Sequence, residues 1–174
     1  RQGEQDLWET GSREERLLLL ADLRSADPAK ARDLLATTWA QESAKDRAVF
    51  LEKFAAGLTT TDEPFLNDAL HDRSVEVRRV ARKLLAGLPT SEFSRRLQGL
   101  VKPVMNFKKP LIGKARLEVS LPNDDPIAWL TANNVEIDSP TQTATGSFGP
   151  KAWYLKEVIS LVPITHWSKT WAKS

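Results

Sequence analysis

Reactive chemistry has few places to reside in this chain. Its histidines are His71 and His166 alone and it has no cysteine, which excludes disulfides, thiolate metal sites and histidine-rich metal cages. The stretch GSFGPK at 146–151 lacks paired glycines at the spacing of a phosphate cradle, and its Lys151 follows a proline. No G-x-S-x-G elbow is present, and neither histidine has a serine nucleophile or carboxylate partner in a motif. His71 closes a short predicted helix beside Asp72, where a cation complements the helix dipole. His166, between Pro163 and Trp167, reads as a packing residue. Two adjacent carboxylate pairs remain, Asp62-Glu63 and Asp124-Asp125, and two carboxylates are enough for glycoside hydrolysis. Each pair stands at a predicted helix start, where anions are stabilised, so capping accounts for both. The expectation is no catalytic residue, no metal and no cofactor.

Six tryptophans offer a second chemistry, stacking on bases or sugars. Trp39, Trp129 and Trp153 fall on apolar helical faces and are expected to pack in a core. Trp8, Trp167 and Trp171 lie near the chain ends. They are expected on a surface that a longer protein would cover, since the chain opens on Arg1 rather than methionine.

Charge is the third possibility. Residues 1–75 carry ten Lys/Arg against fifteen Asp/Glu, residues 76–116 carry eleven against two, and the remainder carries four against six. A basic middle between acidic flanks suits a polyanion. Its candidate contacts are Arg79, Arg82, Lys83, Arg95, Arg96, Lys102, Lys108, Lys109, Lys114 and Arg116.

The elements that must position these residues are mostly helical. Ser12 with Glu15 forms a capping box for a helix running to about Arg24, apolar over much of its circumference as a central element would be. Its LLLLA run at 17–21 is too short to span a bilayer and is flanked wrongly for a signal peptide. Asp27-Pro28 starts a second helix to about Ala40, with Ala31, Leu34, Leu35 and Thr38 on one face. Ser43 with Asp46 opens a third, with a stripe of Phe50, Leu51, Phe54, Ala55 and Leu58. Pro64 starts a short fourth helix, Ser74 caps a fifth ending near Gly87, and Ser91 caps a sixth reaching about Val101. No strand signal interrupts this series.

In the fifth helix Val77, Val80, Ala81, Leu84, Leu85 and Leu88 recur at helical spacing and form one apolar sector. Arg79, Arg82 and Lys83 are expected on the opposite, solvated side, with Arg78 at the boundary shielding the stripe with its methylenes. After Val101 the texture changes to an irregular, proline-containing basic link. LEVSL at 117–121 alternates as a short strand would, and VEID at 135–138 is its expected partner. Asp125-Pro126 starts a two-turn helix, and Pro150 opens a final one through KAWYLKEVISLV. The expected divisions are helical repeats over 1–101, the link over 102–149, and the last helix with its tail over 150–174. The fold class is all-α, with a less regular C-terminal part holding a short β-hairpin.

Three stretches in order, TTWAQESAKDRAVFLEKFAAGLTTTDEPFLNDALHDRSVEVRRVARKLLAGLPTSEFSRRL, AWLTANNVEIDSP and GPKAWYLKEVISLVPITHW, resemble an uncharacterised bacterial family of HEAT-like helical proteins. The pattern Leu66…Leu70-x-Asp72…Val77-Arg78-x-x-Ala81-x-x-Leu84…Leu88 resembles one HEAT-type repeat. What the resemblance implies is an α-α solenoid, a structural ion-pair or hydrogen-bond role for Asp72 and Arg78, and a cytoplasmic protein. It also implies an association with SWIM-type zinc-finger, MoxR-type AAA ATPase and von Willebrand A-domain proteins. The family brings no catalytic residue, and its link before the Trp153 helix is usually richer in glycine and basic residues than SPTQTATGSFG.

Two readings follow. In the first, stacked helices present an extended surface to another protein, without enzymatic activity, cofactor or membrane. In the second, the basic 76–116 region grips nucleic acid, with base-processing chemistry of the DNA-glycosylase kind as its enzymatic extension.

Overall fold

A computed structural model describes residues 2–108, 116–120, 128, 130, 135 and 150–162. The described chain is mainly helical: α1 (Gln2–Thr10), α2 (Arg13–Ala26), α3 (Pro28–Thr38), α4 (Ala44–Glu52), α5 (Glu63–Ala69), α6 (Val75–Ala86), α7 (Glu92–Val104) and α8 (Pro150–Leu161). Two 3-10 turns, Lys53–Ala55 and Thr60–Asp62, lie between α4 and α5. Two short strands follow α7, β1 (Met105–Lys108) and β2 (Arg116–Val119). The chain divides into two compact units, 1–88 and 89–174. Helix α7 lies in the second of these units.

Local chemistry explains where the helices of the first unit begin. The Ser12 N–H donates to Glu15 Oε2 at 2.8 Å and the Glu15 N–H to Ser12 Oγ at 3.3 Å, completing the capping box of α2. Asp27 accepts from the Lys30 N–H ahead of α3, and Ser43 and Ser74 accept from the Asp46 and Val77 N–H groups. Each interaction satisfies a donor that the first helical turn leaves open. Helix α1 has no such signal, and QGEQDLWET shows little apolar periodicity beyond Leu7 and Trp8.

Helix α2 packs against α1 and α3, and α6 against α4 and α5. The expected stripe of α6 is buried throughout, from Val77 at 0% to Val80 at 7% exposure. Trp8 is the main correction in this unit. It is 1% exposed with its ring 5.4 Å from Phe50, so it belongs to the core rather than to an uncovered surface. Trp39 is half-buried and meets Phe65 edge-on at 5.0 Å; Phe65 in turn stacks on Phe54 at 5.5 Å. The stripe expected on α4 is cut short, because the chain tightens into the 3-10 turn and leaves Ala55 exposed. Nor is α2 the enclosed element its leucines suggest. Leu20 and Leu23 are buried, Leu17 and Leu19 are half-buried, and Leu18 is 68% exposed.

In the second unit Ser91 caps α7 through the Ser94 N–H, and Phe93, Leu97, Leu100, Val101 and Val104 are buried at helical spacing. Helix α8 packs on α7, and Val158 within it and Val162 just after it are buried. Strand β2 lies where alternation placed a strand, but its partner is β1, antiparallel, with Met105 opposite Val119 and Lys108 opposite Arg116. Of the expected partner at 135–138 only Val135 is among the described residues. Val135 is outside any strand and donates its N–H to the Leu130 carbonyl. Of the helix expected after Asp125 only Ala128 and Leu130 are described, both helical; residues 136–138, Trp129, His166, Trp167 and Trp171 lie outside the described residues.

Candidate functional site

The polar groups that the first unit gathers in its interior form a connected system, and it starts from the helix caps. Ser12, Ser43 and Ser74 stand 31 residues apart, and so do Arg16, Arg47 and Arg78, each four residues after its cap serine. On a helix that offset places the arginine directly behind the first turn, on the side facing the preceding chain.

The three arginines meet the same kinds of partner. Arg16 donates to the Glu42 carboxylate and, at 3.3 Å, to Thr38 Oγ1. Arg47 clasps the Asp72 carboxylate with two hydrogen bonds of 2.8 and 3.0 Å, and its third donor reaches the Glu42 carbonyl at 2.7 Å. Arg78 donates to the Asp72 carbonyl at 2.7 Å. Glu42 and Asp72, each just before a cap serine, therefore take one arginine on the carboxylate and the next on the carbonyl. The result is one ladder, Arg16–Glu42–Arg47–Asp72–Arg78. Aromatic rings repeat with it. The Arg16 guanidinium lies 4.4 Å from the Trp8 centroid and that of Arg47 lies 5.8 Å from Trp39, again 31 residues on.

Asp72 and Arg78 do meet, but through the Asp72 main chain; the Asp72 carboxylate is occupied by Arg47. Burial alone pushes Asp72 up, yet the hydrogen bonds from Arg47 and the Ser74 N–H, with the nearby arginine charges, hold its carboxyl below the ordinary range. Asp46, bonded by Ser43 and Arg13, is likewise held low. Charge-assisted contacts of this kind fix geometry and favour the ionised carboxylate.

A second buried assembly was not anticipated. Arg24 and Asp62 both have fully buried side chains and pair through bonds of 3.0 and 2.8 Å. The same guanidinium donates to the carbonyls of Pro28, Phe54, Ala56 and Gly57 and lies 4.3 Å from the Phe54 centroid. Asp62 also accepts the Thr59 N–H at 3.0 Å and lies 3.9 Å from the Arg32 guanidinium, so this carboxylate closes the 3-10 turn rather than capping α5. Gly57 is required where it stands. Its φ is +58°, and a Cβ there would lie 2.3 Å from the Arg24 carbonyl oxygen. Arg24 thus ties the end of α2 to the start of α3 and to the whole connection between α4 and α5.

The proposed polyanion contacts are distributed unevenly. Arg82 is only 6% exposed, a correction to the solvated face. It stands 31 residues after Leu51 and 62 after Leu20, both buried, so it occupies a core register position. Arg79 is exposed and bonds Glu76 at 2.6 Å one turn back, and Lys83 is exposed beside it. In the second unit Arg95, Arg96 and Lys102 are exposed on α7, with Arg96 paired to Glu92. Lys108 bonds Glu118 across the hairpin at 2.7 Å. Arg116 lies on β2, and Lys109 and Lys114 fall outside the described residues. His71 is exposed, and among the described residues no three His, Asp or Glu gather as metal ligands. No described helix is long and apolar enough to cross a membrane.

Neither a curated protein nor a solved structure matches this sequence. A family model does, over residues 1–174, and the chain accordingly belongs to the family of unknown function DUF5691.

Proposed function

We propose that the chain is a HEAT-like helical-repeat scaffold that binds another protein and has no catalytic role of its own. The observation that carries this reading is the 31-residue recurrence of cap serine and arginine, with an acid one or two residues before the second and third serines, which supports three successive helix pairs, α1–α2, α3–α4 and α5–α6, built to one plan. Repeats of this kind bury their apolar faces against neighbours and leave an extended face for recognition. The interior arginines and carboxylates are consumed in holding the pairs together, which suits a rigid support. Following the resemblance, the partner we infer is a component of a bacterial, cytoplasmic AAA-ATPase and von Willebrand A-domain system.

Affinity purification of the folded full chain at physiological salt tests this. A stoichiometric partner that cross-links to α1–α6 is the expected result. A folded chain that retains no specific protein overturns it.

The nucleic-acid reading rests on Arg95, Arg96 and Lys102 exposed on α7, with Arg95 and Lys102 seven residues apart on one face. Labelled duplex titrated at low and moderate salt decides it, because phosphate neutralisation produces affinity that falls steeply as salt rises. No binding at low salt eliminates it, together with glycosylase activity.

A further inference from the structure

We propose that the outward face of α2, Leu18 between Glu14 and Asp22, docks a partner segment whose apolar side chain is bordered by lysine or arginine. This rests on the scaffold reading and specifies the partner's chemistry.

Three observations converge on that face. The first is an excess of apolar surface. A helix apolar around its circumference belongs in an interior. Yet of the four leucines at 17–20 only Leu20 is fully buried, and Leu18 is 68% exposed. The second is register. Val49 and Val80 follow Leu18 at 31-residue steps; Val49 is half-buried and Val80 is 7% exposed. The row is buried on α6, half-buried on α4 and open on α2.

The third is a sorting of charge across one helix. Over Arg13–Ala26, α2 carries Arg13, Arg16 and Arg24 against Glu14, Glu15 and Asp22. Arg24 is wholly buried, Arg16 reaches Glu42 beside two rings, and Arg13 is bonded to Asp46 and lies 3.9 Å from Glu14. The three carboxylates remain exposed. Glu14, Leu18 and Asp22 are four residues apart and lie along one stripe. What α2 presents outward is therefore an aliphatic side chain within a negative border, and its complement is an apolar anchor within a positive one.

Two synthetic helical peptides with identical leucine spacing, one bordered by lysines and one by glutamates, are titrated against the full chain by fluorescence anisotropy. The lysine peptide is expected to bind and to slow hydrogen exchange over residues 14–22. Leu18→Asp should weaken it about tenfold, and Glu14→Lys with Asp22→Lys should transfer preference to the glutamate peptide. Leu18→Ala serves where Leu18→Asp fails to fold, since alanine is the best helix former. Equal binding of both peptides, or binding unchanged by both Leu18 variants, overturns the proposal. So does self-association in sedimentation that Leu18→Ala abolishes, which assigns the face to a second copy. A co-purified partner whose cross-links avoid α2 removes this inference and leaves the scaffold standing; no partner and no peptide binding removes both.

Discussion

Arg24 and Arg96 each bond a carboxylate, but in opposite surroundings. The Arg24–Asp62 pair is wholly buried and sits among four main-chain carbonyls, with every Arg24 partner but Pro28 lying 30 to 38 residues away in sequence. Arg96 reaches Glu92 one turn back on α7, with side chains 42% and 58% exposed. Water screens the second pair and competes for its hydrogen bonds, so such contacts contribute little. The first has no water to fall back on, and losing one member strands the other. Density of charge along the sequence therefore misleads about weight. The crowded cations of 78–83 and 95–96 are the conspicuous ones, while the solitary Arg24 holds the first unit together.

The largest effect expected from breaking this contrast is at the buried pair. Asp62→Ala should destabilise the first unit by about 3–5 kcal/mol in urea unfolding, because it leaves a buried guanidinium unpaired. Replacing both members, Arg24→Met with Asp62→Leu, should recover only part of this, since four carbonyls then lose their donor. Full recovery would mean that those carbonyls find other partners. Next comes Gly57→Ala. A left-handed backbone and a Cβ driven into the Arg24 carbonyl should cost about 2 kcal/mol or more, read by the same unfolding curves.

Acid sharpens the comparison differently. Asp72 and Asp46 have folded-state values below their unfolded ones. Their contribution is then fully present above the ordinary carboxylate range near pH 4 and is lost as pH falls through the lower folded values. The unfolding midpoint should be level near neutrality and drop below about pH 4. Asp72→Asn should flatten that drop while lowering stability at pH 7. The smallest effects belong to the surface. Arg79→Ala and Arg96→Ala should each change stability by no more than about 0.5 kcal/mol.

Local signals in the sequence found the helices they could reach. The cap serines, Asp27-Pro28 and the six-residue stripe of α6 stand where residue type and spacing put them, because caps and stripes act within a turn or two. Helix α1 escaped because Leu7 and Trp8 make too short a pattern, and its burial depends on Phe50. The hairpin was half legible: alternation located β2, but β1 has only four residues, too few to show a period. Arg24 looked like an ordinary cation at a helix end, since its carbonyl partners are assembled by a connection thirty residues on. Arg82 was misplaced because one helix read alone puts it opposite the stripe. The 31-residue spacing of Ser12, Ser43 and Ser74 was present in the sequence and, followed through Leu20 and Leu51, leads to Arg82 as an interior position.

A double-mutant cycle on Arg47 and Asp72, set beside one on Arg96 and Glu92, tests most directly whether the 31-residue ladder is what braces the helices. The ladder predicts a coupling of about 1.5–3 kcal/mol for the first pair and no more than about 0.5 kcal/mol for the second. Equal couplings, or independence of Arg47 from Asp72, would contradict it.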